Sequence, residues 1–205
     1  MSTPHLNRAK KATLFLLLVA VISIGALAYP AKAPVISLLM HEPWEDMRQR
    51  STARINSAIP GEPWFSIPHS DARFEFADPT YGFITPPARF FTISYNSQGK
   101  VHGVRMSPQI EPLLLDDTLD LLLDLQDQWR SKGWRLVWPD EDPAFEDNRE
   151  WRNHLREGNL GRTYWRAEDK YQVTVFVRKF RDEDGPGKER YLITLDFGKQ
   201  YGREG

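Results

Sequence analysis

The sequence predicts an α+β domain in which an antiparallel sheet of five or six strands packs on one long helix, behind an N-terminal hydrophobic segment. Residues 90–95 and 101–106 are rich in β-branched and aromatic residues and flank a polar, glycine-containing loop, which is typical of a hairpin. Leucines recur at the helical period of 3.6 residues within 108–134. Residues 161–167, 171–180 and 190–197 are separated by polar loops and predict a three-strand meander, whose middle run alternates with period two.

The N-terminal segment, residues 12–31, contains no charged side chain and follows Arg8, Lys10 and Lys11. A helix needs about 20 apolar residues to cross a hydrocarbon core about 30 Å thick, so this stretch is long enough. Basic residues before the segment predict that residues 1–11 stay in the cytoplasm and that the remainder is exported. The chain contains no cysteine and no N-glycosylation sequon, which favours a bacterial periplasm over an endoplasmic reticulum lumen.

The fate of this segment has two interpretations. A cleavable signal peptide fits residues 12–24 as its apolar region and Ala26-Leu27-Ala28 as its cleavage site, so cleavage near Ala28 would leave a soluble periplasmic protein. A retained single-pass anchor in the bacterial inner membrane is favoured by apolar residues that continue beyond Lys32, through 35–40. The absence of cysteine excludes a lipoprotein anchor.

Residues 32–87 are predicted to form a juxtamembrane region that precedes the exported domain at 88–205. Residues 42–59 carry Trp44, Met47 and Ile55 on one face of a predicted amphipathic helix, which Pro60 and Gly61 would end. From residue 60 to 87, six prolines alternate with aromatic residues and disfavour helix, so we expect an extended segment that wraps the domain. The alternative is that it forms an edge strand at 72–76.

In the long helix we expect Asp116 or Asp117 to accept hydrogen bonds from the first-turn amides, and Gly133 to provide the left-handed stop. Residues 134–138 are predicted to form a short strand. An acidic stretch follows at 140–147 and leads into a second short helix at 146–157.

Charge and motif composition argue against several function classes. Four of the 27 basic residues and none of the 28 acidic ones lie before Pro34, so the exported part is acidic and nucleic-acid binding is not expected. The five histidines lack metal-ligand spacing, and the acidic stretch lacks the ligand pattern of a calcium loop, so no metal or other cofactor is expected. No nucleophile elbow or phosphate loop is present, and we identify no catalytic residue.

These observations predict a non-catalytic, protein-binding module of the periplasm, either an inhibitor or immunity-type protein or an envelope assembly factor. We expect it to bind its partner through an aromatic residue, Trp138, and the acidic loop beside it, Asp140, Glu141 and Asp142. We expect substitution of the three acids to weaken binding of a protein partner without loss of stability. The alternative is a cell-envelope hydrolase whose active site has no recognisable motif.

Overall fold

Ten strands and three helices follow one another along residues 33–180 and 189–199, the part of the chain that our computed structural model describes. The predicted membrane segment at 12–31 lies outside this part. No helix of the described residues combines the length and apolar character that crossing a bilayer requires. The structure is α+β with a mostly antiparallel sheet arrangement and few helices, as the sequence predicts.

A three-stranded sheet contains β1 (Val35–Leu38), β3 (Ala72–Phe76) and β4 (Phe83–Ala88) in the order β1-β3-β4. Strand β1 runs parallel to β3, and β4 runs antiparallel to it. The apolar residues after Lys32 therefore belong to a buried strand of the domain. A buried strand and a membrane segment both avoid water, so both are continuous runs of apolar residues. The expected edge strand at 72–76 is instead the central strand of this sheet.

Helix α1 (Trp44–Arg50) is much shorter than the predicted helix at 42–59. It ends because Ser51 is extended and the next two residues pair with β1: the amides of Thr52 and Ala53 both donate to the carbonyl of Val35. A tertiary contact thus overrides the helical pattern that continues beyond residue 50.

A seven-stranded antiparallel sheet has the order β2-β5-β6-β10-β9-β8-β7 within the described residues. Its strands are β2 (Trp64–Ser66), β5 (Phe91–Tyr95), β6 (Val101–Met106), β7 (Arg135–Leu136), β8 (Gly161–Ala167), β9 (Tyr171–Phe180) and β10 (Arg190–Lys199). The predicted hairpin is the β5–β6 pair, and the predicted meander is β8–β9–β10, so both are confirmed. The predicted number of strands, five or six, was too small. The short edge strand β2 was missed because it lies in the proline-rich stretch, where the sequence predicts irregular chain.

Helix α2 (Leu115–Ser131) occupies the centre of the predicted long helix and ends before Gly133, whose φ is 83°. It begins later than predicted because Leu113 exchanges two backbone hydrogen bonds with Tyr191 of β10. Its N-cap is Leu114, and no side chain caps the helix, so the expected role of Asp116 or Asp117 was wrong. Helix α3 (Arg149–Arg156) is capped by Asn148, whose Oδ1 accepts from the amide of Trp151 at 2.8 Å.

The core lies on one face of the seven-stranded sheet, which we call the covered face. Phe74 and Phe76 of the small sheet contact Phe197 of β10 at centroid distances of 5.6 and 4.6 Å. Trp129 of α2 contacts Trp165 of β8 at 5.7 Å. The small sheet and α2 therefore cover this face together, and the opposite face, which we call the open face, carries the polar residues of the same strands.

Candidate functional site

The loop predicted to bind a partner is fixed to strand β8 at both of its ends. Trp138 is half-buried, and its ring meets that of Tyr164 edge-on, with 4.8 Å between centroids and 80° between planes. The amide of Asp142 donates to the carbonyl of Trp138 at 2.8 Å and closes the loop. The loop is consequently a tight turn on the rim of the sheet.

The three acids of this loop have different surroundings. Asp140 and Glu141 are exposed, whereas Asp142 is only 5% exposed. Its Oδ1 accepts a hydrogen bond from Nε of Arg162 at 2.6 Å, and this contact raises the pKa of the Arg162 guanidinium. Asp142 thus stabilises the loop, and the two carboxylates that a partner can reach are those of Asp140 and Glu141.

A groove of about 610 Å³ lies between this loop, helix α3 and the start of β8. We call it the acidic groove. Its exposed carboxylates are Glu141, Glu146 and Glu150, beside the buried Asp142, and its apolar lining includes Trp151 and Leu160. No described residue forms an ion pair with any of these three glutamates. No ion pair therefore balances their negative charge, and the side-chain amide of Asn148 donates a hydrogen bond to Glu146.

Two arginines at the acidic groove are already paired with other acids. Arg162, which also lines the groove, is paired with Asp142. Arg152 of α3 binds Asp147 and Asp116, and both contacts raise the pKa of its guanidinium. Because these cations are neutralised elsewhere, the field inside the groove is set by its glutamates and favours a positively charged ligand.

Hydrogen bonds hold the wall of the groove in place. The indole of Trp151 donates to the carbonyl of Ala144 at 3.0 Å, and its ring lies against Phe145, 4.7 Å between centroids. Phe145 is fully buried, and its amide and carbonyl both bind the side chain of Gln126 in α2. The acidic groove is consequently built on the rigid core of the domain.

A second concave region lies on the open face, where sequence reasoning predicted no site. Gly103 of β6 and Gly198 of β10 are directly opposite each other in the register of the two strands. They form part of a hollow of about 410 Å³, which also includes Asp196 and Gln172. These four residues belong to three different strands and give no local sequence signal, so only strand register brings them together.

The remaining sequence patterns do not assemble into a site. Three consecutive residues of triad type, His69-Ser70-Asp71, diverge: Nε2 of His69 lies 2.9 Å from Oδ1 of Asn56, and Asp71 pairs with Arg89. Among residues 33–180 and 189–199, no three His, Asp or Glu side chains are grouped to hold a metal ion. Comparison with protein-family models, with curated proteins and with solved structures gave no match.

Proposed function

We propose that this chain is a non-catalytic protein-binding module of the bacterial cell envelope, which recognises a basic segment of its partner in the acidic groove. The observation that carries the proposal is the group of three exposed glutamates, without an ion pair to any described residue, around a groove with an aromatic wall. An inhibitor or immunity-type protein and an envelope assembly factor both act through such contacts.

The chemistry of the groove indicates which partner side chains suit it. A lysine or arginine places its aliphatic stem along apolar surface while its charged end reaches carboxylates. Leu160 and the half-buried ring of Trp151 supply the apolar surface, and the Trp151 ring also attracts a cation over its face. Asp140 and Glu141 at the rim favour faster association with a basic partner.

The membrane location belongs to the same proposal. Residues 12–31 would anchor the chain in the inner membrane with its C-terminal domain in the periplasm, or would be removed by cleavage near Ala28. The amide of Arg73 donates to the carbonyl of Pro34 at 2.8 Å, so the folded domain begins directly after the hydrophobic segment. Because residues 35–38 form a core strand, their apolar character is no longer an argument for a retained anchor.

Binding is favoured over the alternative of an envelope hydrolase by the exposure of the groove. General acid catalysis near neutral pH relies on a carboxyl group whose pKa is raised by removal from water. The glutamates of the acidic groove are exposed to solvent instead, which suits a surface that exchanges water for a partner's cations.

The experiment is a pull-down from membranes of the native host with the intact chain carrying a C-terminal tag. The comparison is between the natural sequence and a triple variant, Glu141→Gln, Glu146→Gln and Glu150→Gln, which keeps side-chain size and removes charge. We expect a stoichiometric partner to be retained by the natural chain, to be lost from the variant, and to dissociate as salt is raised.

A matched control removes three exposed charges elsewhere, by Glu62→Gln, Asp120→Asn and Asp169→Asn. This control should retain the partner. Equal retention by both triple variants, or recovery of the natural chain alone, would contradict the proposal. The mass of the recovered chain decides the fate of the segment: an intact chain indicates an anchor, and a loss of about 28 residues indicates a signal peptide.

A further inference from the structure

The hollow on the open face exists because two glycines face each other on the central strands. Gly103 and Gly198 are aligned across the β6–β10 pair, and Gln172 of β9 is aligned with Gly198 on its other side. Any other residue pair at these two positions would project side chains into the space that the hollow occupies. The floor of the hollow is therefore backbone, and its walls are the side chains of neighbouring positions.

The walls bring together both hydrogen-bond donors and acceptors from five strands. They are Ser94 of β5, His102 and Arg105 of β6, Tyr164 of β8, Gln172 of β9 and Asp196 of β10. Amide, hydroxyl and imidazole groups can each present a donor and an acceptor, whereas the guanidinium only donates and an ionised carboxylate only accepts. The hollow thus offers a mixed set of polar groups around an open space.

Asp196 has hydrogen-bonding capacity that the protein does not use. Nε of Arg105 lies 3.6 Å from its Oδ1, an ion-pair distance that is too long for a hydrogen bond, and no other described group bonds to this carboxyl. Partial burial raises the pKa of Asp196, and the charge of Arg105 opposes that shift. Within the described residues the carboxyl is available to a ligand in the hollow.

The charges around the hollow select the class of that ligand. Arg105 and Asp196 compensate each other, so neither an anion nor a cation gains a net field there, and either would compete with the existing ion pair. A neutral ligand rich in hydroxyl groups can donate to Asp196 and accept from Arg105 and Gln172 without displacing a charge. The volume of about 410 Å³ lies within the range of small-molecule sites.

We propose that the hollow over Gly103 and Gly198 is a binding site for a neutral saccharide. The ring of Tyr164 supplies apolar surface at the wall, and Gln172 and Asp196 supply the groups that orient hydroxyls. This site is separate from the acidic groove and does not depend on the function proposed for that groove.

The test is a calorimetric titration of the full-length chain, purified in a detergent without a sugar headgroup. The probes are maltotetraose and a tetramer of N-acetylglucosamine as neutral saccharides, inorganic phosphate as an anion and spermidine as a cation. We expect one or both saccharides to bind and the two ions not to bind in the hollow. Failure of both saccharides to bind would overturn the proposal.

The decisive variant is Gly198→Val, which fills the hollow from its floor. A Cβ at this position meets its nearest neighbours, the His102 carbonyl oxygen and the Gly103 Cα, at 3.6 and 3.9 Å, which are ordinary contacts. Valine also suits a strand, so we expect the fold to be retained and saccharide affinity to fall by about tenfold or more. Thr194→Val, on the same strand and face but outside the hollow, is the matched control and should leave saccharide affinity unchanged.

A second variant keeps the proposal falsifiable if Gly198→Val does not fold. Gln172→Ala removes a wall amide that donates one weak hydrogen bond, at 3.3 Å, to Thr174 Oγ1 within the described residues. It should also weaken saccharide binding while the melting temperature stays close to that of the natural chain. Natural affinity in a folded Gly198→Val variant, or in Gln172→Ala, would overturn the assignment of the site to this hollow, as would displacement of the saccharide by phosphate or spermidine.

Discussion

Two neighbouring residues of strand β10 show how differently the two faces of the seven-stranded sheet are built. Phe197 is 3% exposed on the covered face, where its ring lies within about 6 Å of five other aromatic rings. These rings belong to Phe74, Phe76, Phe83, Trp134 and Tyr171. Asp196 points to the open face, where one distant guanidinium is its described partner.

Packing constrains the covered face of these strands, whereas the open face leaves polar groups such as the Asp196 carboxyl available to a ligand. On the covered face, the small sheet and α2 fix the volume available to each side chain, so packing determines which residues fit. On the open face, no described element packs over the central strands, so we expect most polar substitutions there to change stability little. The open face can therefore carry a binding site at small cost to stability.

The comparison is tested most strongly by truncating each of the two neighbours. Phe197→Ala should lower the free energy of unfolding by about 3–5 kcal/mol, because it opens a cavity among packed rings. Asp196→Ala should change it by less than about 0.5 kcal/mol, as is usual for a surface position. Urea denaturation of both variants measures the difference, and similar losses would show that the open face is also structural.

The acidic loop provides a second test, because one of its three acids is buried. Asp142→Ala should lower the free energy of unfolding by about 1–3 kcal/mol, since it removes a charged hydrogen bond from Arg162. Asp140→Ala and Glu141→Ala should each stay within about 0.5 kcal/mol of the natural chain. This replaces the expectation that all three acids can be removed without loss of stability. Urea denaturation of the three variants makes the measurement. An unchanged free energy of unfolding for Asp142→Ala would contradict the structural role of Asp142.

Removing a buried polar group that has no hydrogen-bond partner from the covered face should raise the free energy of unfolding. Thr163 of β8 is fully buried, and its hydroxyl forms no hydrogen bond with any described residue. Thr163→Val keeps the shape and should raise the free energy of unfolding by about 1 kcal/mol. Thr174→Val on the open face is the control and should give no gain, because its hydroxyl accepts from Gln172. Thermal melts of both variants make the measurement.

The smallest expected effect is a change in how stability depends on pH. Burial raises the pKa of Asp196, so the folded chain holds this proton more tightly than the unfolded chain, and stability falls as pH rises above the unfolded pKa of about 3.9. Asp196→Asn removes this dependence. The difference in melting temperature, variant minus natural chain, should therefore increase as pH rises from the unfolded pKa through the folded one.

Asp147 provides the control of opposite sign for this pH effect. Its hydrogen bond from Arg152 lowers the pKa of the Asp147 carboxyl, so it contributes stability above the unfolded pKa that is lost as pH falls through the folded one. Asp147→Asn should therefore lose more stability at neutral pH than in acid. Parallel pH profiles for the Asn variants of both residues would contradict the two assignments.

The local sequence pattern was sufficient to predict those elements whose conformation depends on their own residues. The β5–β6 hairpin has a polar turn between two β-rich runs, β9 alternates with period two, and Gly133 adopts the left-handed conformation after α2. Each of these signals lies within a few positions of the element that it describes. These elements could therefore be predicted from the sequence.

Strands β1 and β4, in the N-terminal part of the domain, could not be recognised in this way. Strand β4 contains Pro86 and Pro87, which disfavour a central strand but are tolerated because β4 is an edge of the small sheet. Strand β1 is a short apolar run next to a longer hydrophobic segment, and its identity depends on pairing with β3. Edge position and pairing partner are properties of the assembled sheet.

By itself the sequence determined the α+β class, the hairpin, the meander, the position of the main helix and the acidic loop beside Trp138. Tertiary structure alone decided that Asp142 is buried against Arg162, that residues 35–38 are a core strand, and that Gly103 faces Gly198. The physical reason is that helical and strand periods are local, whereas register between distant strands is fixed by burying one whole face of the sheet.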